Sequence, residues 1–187
     1  MQTICGNQFN QFDLCSILFA GPFLISTKMK NYILIIIAAF LLTGCSSTFY
    51  LVRHAERLDS SKDSVLSEAG QARANLLKDI LIREGIDAVY ATKYKRTQLT
   101  GKPLADALGK EVIIYGTDNT PQFVERMKKQ KNKDYLIVGH SNTVPEMVLY
   151  FTGDTVHIGH GDYDNLFVVK MKKGIFGNNI KLEKRTF

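Results

Sequence analysis

The sequence predicts an α/β fold, a three-layer α/β/α sandwich around a mostly parallel central sheet. Short apolar runs alternate with segments of helical periodicity, which is typical of parallel βαβ units. Three of these runs are followed by arginine or histidine, and open α/β sheets bind ligands beyond the carboxyl ends of their strands. The predicted strands are 49–52, 88–91, 112–115, 135–138 and 166–171, with 180–182 as a sixth strand at an edge.

The segment 68–83 is the clearest of the predicted helices. Ser67 is a typical N-cap residue, and Gly85 is a typical residue at which a helix ends. Apolar residues within the segment follow the 3.6-residue period at Ala72, Leu76, Leu77, Ile80 and Leu81. Further helices are expected over 97–108, 122–131 and 142–151.

Positively charged and imidazole side chains follow three of the predicted strands. Arg53 and His54 come directly after the first strand, Arg96 follows 88–91, and His140 follows 135–138. Because the carboxyl ends of parallel strands lie at one edge of a sheet, the four side chains are expected to converge on a phosphate. A helix beginning at Ser141 or Asn142 would add its N-terminal N–H groups, and these two residues complete the predicted substrate-binding set.

These motifs resemble those of the histidine phosphatase superfamily, in its phosphoglycerate mutase-like branch. Four segments match in the family's order and spacing: 51–56 (LVRHAE), 66–71 (LSEAGQ), 92–100 with its arginine, and 138–141 (VGHS). Ala55 is a departure, because the commonest form of the first motif has glycine after the histidine. The resemblance implies the phosphoglycerate mutase-like fold and catalysis through a phosphohistidine.

The chemistry of the four residues and the family resemblance assign them the same roles. Arg53 and Arg96 would each present a planar fork of donors to phosphate oxygens. His54 would attack phosphorus, and nearby cations are expected to lower its pKa and keep it neutral near pH 7. His140, if protonated, would donate to the equatorial oxygens in the transition state.

An alkoxide leaving group needs a proton, usually from a carboxylic acid. Many relatives supply a glutamate after the third strand, but the segment 116–125 (GTDNTPQFVE) departs from the usual pattern. Asp118 is the tentative acid, because a loop position can point at the pocket, and Glu125 is the second choice. Further options are Glu56, Asp59 and Asp63. If none serves, the sequence favours good leaving groups, as in acyl phosphates, phosphoramidates or anhydrides.

No cofactor and no metal are expected. All three cysteines lie at or before residue 45, so the domain has neither a disulfide framework nor a cysteine-based metal site. His157 and His160, with Asp162 and Asp164, suggest an alternative metal site, but a loop or pocket-rim role is favoured because no further ligand is clustered with them. Nucleic acid is not an expected partner, since the sequence has no dense basic patch interleaved with aromatic residues.

Residues 29–44 have the plan of a lipoprotein signal peptide. A basic start precedes the short apolar stretch 32–42, and the segment 42–45 (LTGC) resembles a lipobox. A membrane-spanning helix is less favoured, since it needs about 20 apolar residues. We therefore expect lipidation of Cys45, a short linker over 45–48, and a domain over 49–187. Residues 1–28 are expected to be a gene-model artefact or an extra leader, with translation beginning at Met29.

The favoured interpretation is a lipid-anchored phosphatase of the bacterial cell envelope, facing the periplasm or the exterior. Its expected partners are a small phosphorylated substrate and the membrane, which suit the net charge of +6. Two alternatives stay open: a phosphoglycerate mutase-type phosphotransferase, and a catalytically silent lipoprotein that binds a phosphorylated ligand. Specificity is expected to lie in the loops 57–66, 116–121 and 153–164.

Overall fold

The computed structural model describes residues 46–174 and 177–187, together with Tyr32. The chain separates into two units, Met1–Thr43 and Gly44–Phe187. Apart from Tyr32, the predicted leader and signal peptide lie outside the described residues, and so does Cys45, the predicted lipidation site. None of the helices in the described ranges has both the length and the apolar character needed to cross a membrane.

The described part of the second unit contains six strands and four helices. The strands are β1 (Ser46–Arg53), β2 (Ile86–Ala91), β3 (Val112–Ile114), β4 (Asp134–Gly139), β5 (Asn165–Gly174) and β6 (Gly177–Thr186). The helices are α1 (Glu68–Leu81), α2 (Lys95–Ala107), α3 (Thr120–Lys129) and α4 (Thr143–Thr152). Ser67 caps α1 as predicted, its hydroxyl accepting a hydrogen bond from the Gly70 N–H at 3.1 Å.

The strands form one sheet in the order β3-β2-β4-β1-β5-β6. The first four in that order pair in parallel, whereas β5 is antiparallel to β1 and β6 is antiparallel to β5. The predicted α/β sandwich with a mostly parallel sheet is therefore confirmed, and β6 lies at the edge as expected. The carboxyl ends of β1, β2 and β4 are neighbours, which places the residues that follow them together.

Successive residues of β1 pack on opposite faces of the sheet. Phe49 and Leu51 belong to the apolar core that α3 and α4 cover, whereas Tyr50 and Val52 belong to the core that α1 and α2 cover. A strand covered on both faces has no polar face, so it appears in the sequence as a continuous apolar run. This burial explains why the central strands were predictable.

Strand β1 begins three residues before its predicted start. Ser46 pairs with Lys172 of β5, and the Thr48 N–H donates to Asp134 Oδ1 at 2.7 Å. Residues 46–48, predicted as part of a linker, are therefore in the sheet. Their polar side chains concealed the strand, which is extended here by main-chain pairing with β5.

Helix α1 has a different buried face from the one predicted. Leu77 and Leu81 are buried as expected, but Ala72 is exposed and Leu76 is 45% exposed. The apolar positions predicted to be buried covered two sides of the helix, because they included adjacent residues such as Leu76 and Leu77. The buried side consists of Gly70, Ala74, Leu77 and Leu81, and of these Leu77 and Leu81 pack in the core with sheet residues.

The adjacent leucines of α1 provide a matched test of this face. We expect Leu77→Ala to lower the free energy of unfolding by about 2–5 kcal/mol, because it leaves a cavity in the core. Leu76→Ala, a change of the same size on the exposed side, is expected to cost less than about 1 kcal/mol. Urea denaturation of both variants measures the difference, and equal losses would contradict the assignment of the buried face.

Candidate active site

The carboxyl ends of β1, β2 and β4 open onto a pocket of about 400 Å³. The pocket brings together the four residues predicted to converge there. Its described lining residues are Arg53, His54, Arg57, Tyr94, Arg96, Thr117, His140, Ser141, Asn142, Thr143 and His160.

His54 is held with one ring nitrogen free to react. Its backbone N–H donates to the Gly139 carbonyl of β4 at 2.9 Å, and its side chain is buried. The ring Nδ1 lies 2.8 Å from the Ala55 carbonyl oxygen. A carbonyl oxygen only accepts, so Nδ1 carries the proton in the neutral ring and Nε2 keeps its lone pair. This tautomer is the one that a nucleophilic Nε2 requires.

The loop that carries His54, the predicted nucleophile, is tied to helix α2. The Ala55 N–H donates to Thr100 Oγ1 at 2.9 Å, and the Thr100 hydroxyl donates to the Arg96 carbonyl oxygen at 2.8 Å. Thr100 thereby connects the residue after the nucleophile with the arginine of the neighbouring strand end. Ala55 and Arg96, which are far apart in sequence, are therefore held in a fixed relative position by one side chain.

Burial lowers the pKa of His54 to about 3, and the positive charges of Arg96 and Arg53 act in the same direction. Its hydrogen bond to the Ala55 carbonyl opposes the shift. His54 is therefore neutral near pH 7, as the sequence predicted. The main cause is different, however, because removal from water exceeds the effect of the neighbouring cations.

His140 lies beside His54, with 5.4 Å between the two ring centroids. Its Nε2 is 3.0 Å from Thr92 Oγ1. Burial, followed by the charges of Arg96 and Arg53, lowers the pKa of His140 to about 4. The predicted donor role of His140 was conditional on its protonation, and in the protein alone His140 is therefore neutral near pH 7. A phosphate dianion among these cations would raise the pKa of His140 again.

Arg53 is buried, and no carboxylate among the described residues pairs with it. Its Nη1 donates to the carbonyl oxygens of Gly159 and His160, both at 2.9 Å, and to that of Asp162 at 3.2 Å. The guanidinium also lies over the Tyr163 ring, 4.2 Å from its centroid. Main-chain dipoles and an aromatic face hold this charge, so its full positive charge stays available to an anion.

Arg96 is held in a similar way. Its Nη1 donates to the Lys62 carbonyl at 2.8 Å, and its guanidinium lies 4.6 Å from the Tyr94 ring centroid. In the part of the chain that the structure describes, two buried side-chain nitrogens have no hydrogen-bond partner, and they are Arg53 Nε and Arg96 Nε. Buried unpaired donors are rare and costly. Both residues line the pocket, where phosphate oxygens would pair these donors.

Helix α4 begins at the pocket, as predicted. Ser141, Asn142 and Thr143 all line it, and Asn142 occupies the N-cap position without a side-chain capping hydrogen bond. Thr143 Oγ1 instead accepts from the His140 N–H at 2.8 Å. A Cβ at Gly139 would lie 2.7 Å from that hydroxyl oxygen, so glycine is required at the end of β4.

No aspartate or glutamate lines the pocket among the residues that the structure describes. Asp118, the tentative acid, is exposed next to the lining residue Thr117 and borders a smaller neighbouring cavity. Glu125, the second choice, is exposed on α3 and pairs with Lys128 at 3.0 Å. The structure therefore brings Asp118 close to the pocket and does not bring Glu125 there.

The other acidic candidates have structural partners. Glu56 makes a two-oxygen ion pair with Arg73 of α1, at 2.7 Å for the shortest contact. Asp59 accepts from the Ser61 N–H at 2.8 Å, and Asp63 accepts from the Lys95 N–H at the start of α2, also at 2.8 Å. Each carboxylate is held by a group outside the pocket.

Each of the three loops predicted to set specificity contributes one lining residue. These residues are Arg57, Thr117 and His160. The sequence predicted the three loops but not these individual residues, because the conformation of each loop determines which of its side chains reaches the pocket. His160 has the predicted pocket-rim role. Within the described ranges, no group of three or more His, Cys, Asp or Glu side chains is positioned to hold a metal ion.

The family model of the histidine phosphatase superfamily (branch 1) matches residues 49–116. Phosphoserine phosphatase 1 of Hydrogenobacter thermophilus is 43% identical over 70 residues, which are 34% of this chain and 33% of that protein. A probable phosphoglycerate mutase, GpmB, of Yersinia pestis is 35% identical over 71 residues, again 34% of this chain and 33% of that protein. The matched residues contain the first three of the four segments that predicted this superfamily. The chain spans about a third of the length of these curated relatives.

Solved structures share the fold over more of the chain. A phosphoserine phosphatase from Entamoeba histolytica in complex with 3-phosphoglyceric acid has a TM-score of 0.57 at 13% identity, covering 75% of this chain and 98% of that one. The protein histidine phosphatase SixA complexed with tungstate has a TM-score of 0.59 at 14% identity, covering 74% and 96%. At these identities the likeness establishes the fold alone.

The lowered pKa values of the two histidines predict how stability depends on pH. Their ordinary pKa is 6.5, and burial lowers it to about 3 in His54 and about 4 in His140. Between pH 6.5 and pH 4, protons therefore bind the unfolded chain in preference to the folded one. We expect the free energy of unfolding to fall with decreasing pH, by at most about 1.4 kcal/mol per pH unit for each histidine.

Chemical denaturation between pH 7 and pH 5 measures this slope before most carboxylates titrate. In His54→Gln and in His140→Gln the slope is expected to be shallower than in the wild type, because one titrating group has been removed. An unchanged slope in both variants would mean that these histidines do not carry the pH dependence.

Proposed function

We propose that this protein is a metal-independent phosphatase that hydrolyses phosphoryl compounds through a phosphohistidine on His54. One observation carries the proposal: the two buried, unpaired nitrogens Arg53 Nε and Arg96 Nε belong to the pocket that holds a neutral histidine. Two unpaired cationic donors fit a phosphate, and a histidine with a free Nε2 fits a nucleophile. The family of the chain supports the same conclusion.

The reaction proceeds in two displacements. His54 Nε2 attacks phosphorus and forms the N–P bond, while the bond from phosphorus to the leaving group breaks and the leaving group departs with the electron pair. Arg53, Arg96 and the N–H groups at the start of α4 hold the equatorial oxygens, whose negative charge they neutralise. Water then attacks phosphorus, the N–P bond breaks, and inorganic phosphate leaves the restored histidine.

The lining of the pocket favours leaving groups that depart without a proton. No carboxylate lines it in the described part of the chain, and general acid catalysis is worth about 10²–10⁴-fold for a poor leaving group. Acyl phosphates, phosphoramidates, anhydrides and aryl phosphates depend least on such an acid. The name of the phosphoserine phosphatase that matches at 43% identity supports hydrolysis, whereas the probable phosphoglycerate mutase at 35% identity represents the phosphotransferase alternative.

Phosphate release by the full-length chain in detergent, with EDTA present, tests the proposal. We expect aryl and acyl phosphates to be hydrolysed at least about 100-fold faster than alkyl phosphates, because the latter need the proton that the pocket does not provide. His54→Ala should abolish release, and acid-labile, base-stable phosphate should be trapped on the wild type alone. Release that survives in His54→Ala would contradict the mechanism.

Asp118→Asn, assayed on the same compounds, examines the tentative acid. If Asp118 donates the proton, its loss will slow alkyl phosphates much more than aryl phosphates. An equal loss on both classes would assign Asp118 a structural role in the loop next to Thr117. Glu125→Gln is the matched control, since its carboxylate lies outside the pocket on the exposed side of α3.

We also infer that the phosphatase is lipid-anchored at Cys45 and acts in the cell envelope. The surface around the first residues of the domain supports this location. Ser46 pairs with Lys172, the Lys133 N–H donates to Ser47 Oγ at 3.3 Å, and Lys173 Nζ donates to the Lys129 carbonyl at 3.1 Å. These lysines surround the point where the anchored chain would enter the domain.

Such a basic surface suits anionic lipid headgroups. Each basic residue near an anionic membrane contributes about 1 kcal/mol, although Lys133 is partly neutralised by Asp87 at 2.6 Å. The pocket lies at the other end of β1 and would face away from the lipid. A domain oriented in this way would keep its active site open to soluble compounds.

Labelling with radioactive palmitate in a bacterial host tests the anchor on the full chain. We expect the wild type to incorporate label and to sediment with membranes, and Cys45→Ala to lose both properties. Cys15→Ala, which changes a cysteine ahead of the predicted signal, should keep them. A labelled Cys45→Ala variant, or an unlabelled wild type, would contradict the anchor.

A further inference from the structure

Arg57 is a third arginine in the pocket, and the mechanism above does not use it. It lines the pocket three residues after the nucleophile and is half-buried, whereas Arg53 is only 7% exposed. Arg57 therefore lies nearer the mouth of the pocket than Arg53 does. The main chain at this position is fixed by two contacts. Arg57 forms an isolated antiparallel β-bridge with Leu66, and the Leu58 N–H donates to the Val65 carbonyl oxygen at 2.9 Å.

The guanidinium of Arg57 is close to another positive charge. Burial is the main cause of a lowered pKa of Arg96, and the charge of Arg57 is the next. In the described part of the chain, the Arg57 side chain has neither an ion pair nor a hydrogen bond with a protein group. The nearby Asp59 carboxylate is exposed, accepts from Ser61 and lies outside the pocket. Asp63, whose charge opposes the lowered pKa of Arg96, also lies outside the pocket lining. Like charges held together in a pocket whose described lining has no carboxylate favour an anionic ligand.

The transferred phosphoryl group does not need this third arginine. Arg53 and Arg96 already present one free buried Nε each, and the start of α4 adds N–H groups. A pocket of about 400 Å³ also has room for more of the substrate than its phosphoryl group. His160, from another specificity loop, lines the pocket together with Arg57. The excess positive charge therefore lies where the leaving group would be.

We propose that Arg57 forms a subsite for a second anionic group of the substrate, a carboxylate or a further phosphate on the leaving-group side of the scissile bond. The proposal rests on the proposed function and adds the substrate class. A guanidinium binds either anion through two parallel hydrogen bonds. The best substrates are then phosphoryl compounds whose leaving group itself carries a negative charge.

Pairs of aryl phosphates that differ in a single charge test the subsite. The ortho, meta and para carboxyphenyl phosphates are compared with the matching carbamoylphenyl phosphates, which have nearly the same shape. For at least one isomer we expect kcat/KM of the full-length wild type to be at least about tenfold higher for the carboxylate, as for a charge-assisted hydrogen bond. In Arg57→Gln this ratio should fall towards one, and Arg57→Lys should retain part of it.

The matched control is Arg83→Gln, which removes the same charge from an exposed position outside the pocket lining and should leave the ratio unchanged. Circular dichroism confirms that each variant is folded. A ratio near one in the wild type, or a ratio that Arg57→Gln does not alter, would overturn the subsite. Equal losses on both members of a pair would place Arg57 on the transferred phosphoryl group, which also overturns it.

Titration calorimetry with the same pairs of compounds distinguishes failure of the subsite proposal from failure of the phosphatase proposal. If the wild type binds the carboxylates more tightly than the amides but hydrolyses neither, the phosphatase proposal fails and the subsite stands. If it hydrolyses both members equally and binds them equally, the phosphatase proposal stands and the subsite fails.

Discussion

The pocket depends on arginine charges that are held, among the residues the structure describes, without an ion-paired carboxylate. A carboxylate beside Arg53 or Arg96 would neutralise the charge intended for phosphate and would compete with it for the same donors. The fold instead uses three carbonyl oxygens and the Tyr163 ring for Arg53, and one carbonyl oxygen and the Tyr94 ring for Arg96. These neutral groups fix the position of each guanidinium and leave its charge largely uncompensated. In the proposed mechanism, a bound anion would pair the Nε atoms of Arg53 and Arg96, which have no partner among the described residues.

The same constraint explains the position of Glu56. This carboxylate follows the nucleophile by two residues, and in the pocket it would repel a phosphoryl group. Arg73 of α1 holds it outside through a two-oxygen ion pair, and this hydrogen-bonded partner lowers the pKa of Glu56 against the opposing effect of burial. The first motif therefore combines a functional arginine and histidine with a structural glutamate. An acid placed so close would assist protonation of a leaving group but would weaken phosphate binding.

Much of the site was predictable because it belongs to strand ends. His54 and His140 directly follow buried apolar strands, and the topology of a parallel sheet brings such positions together whatever the loops do. Arg57 and His160 reach the pocket from loops, whose conformations depend on contacts that have no periodic signal in sequence. Asp118 shows the same limit. Its neighbour Thr117 lines the pocket, whereas Asp118 itself borders only a smaller neighbouring cavity, and the sequence does not distinguish the two positions. The dominance of burial over charge in the histidine pKa values also required the packed structure.

Strand β1 separates the two charged regions of the domain. Its eight residues span about 26 Å at about 3.3 Å per residue, with the lysine-rich surface at one end and the pocket at the other. For a domain anchored at Cys45, an anionic membrane would attract the lysines but repel anionic substrates. Screening at physiological ionic strength limits that repulsion to about 8 Å from the surface. The length of β1 therefore places the pocket about three screening lengths away, where a membrane-bound phosphatase would meet anionic substrates at nearly their bulk concentration.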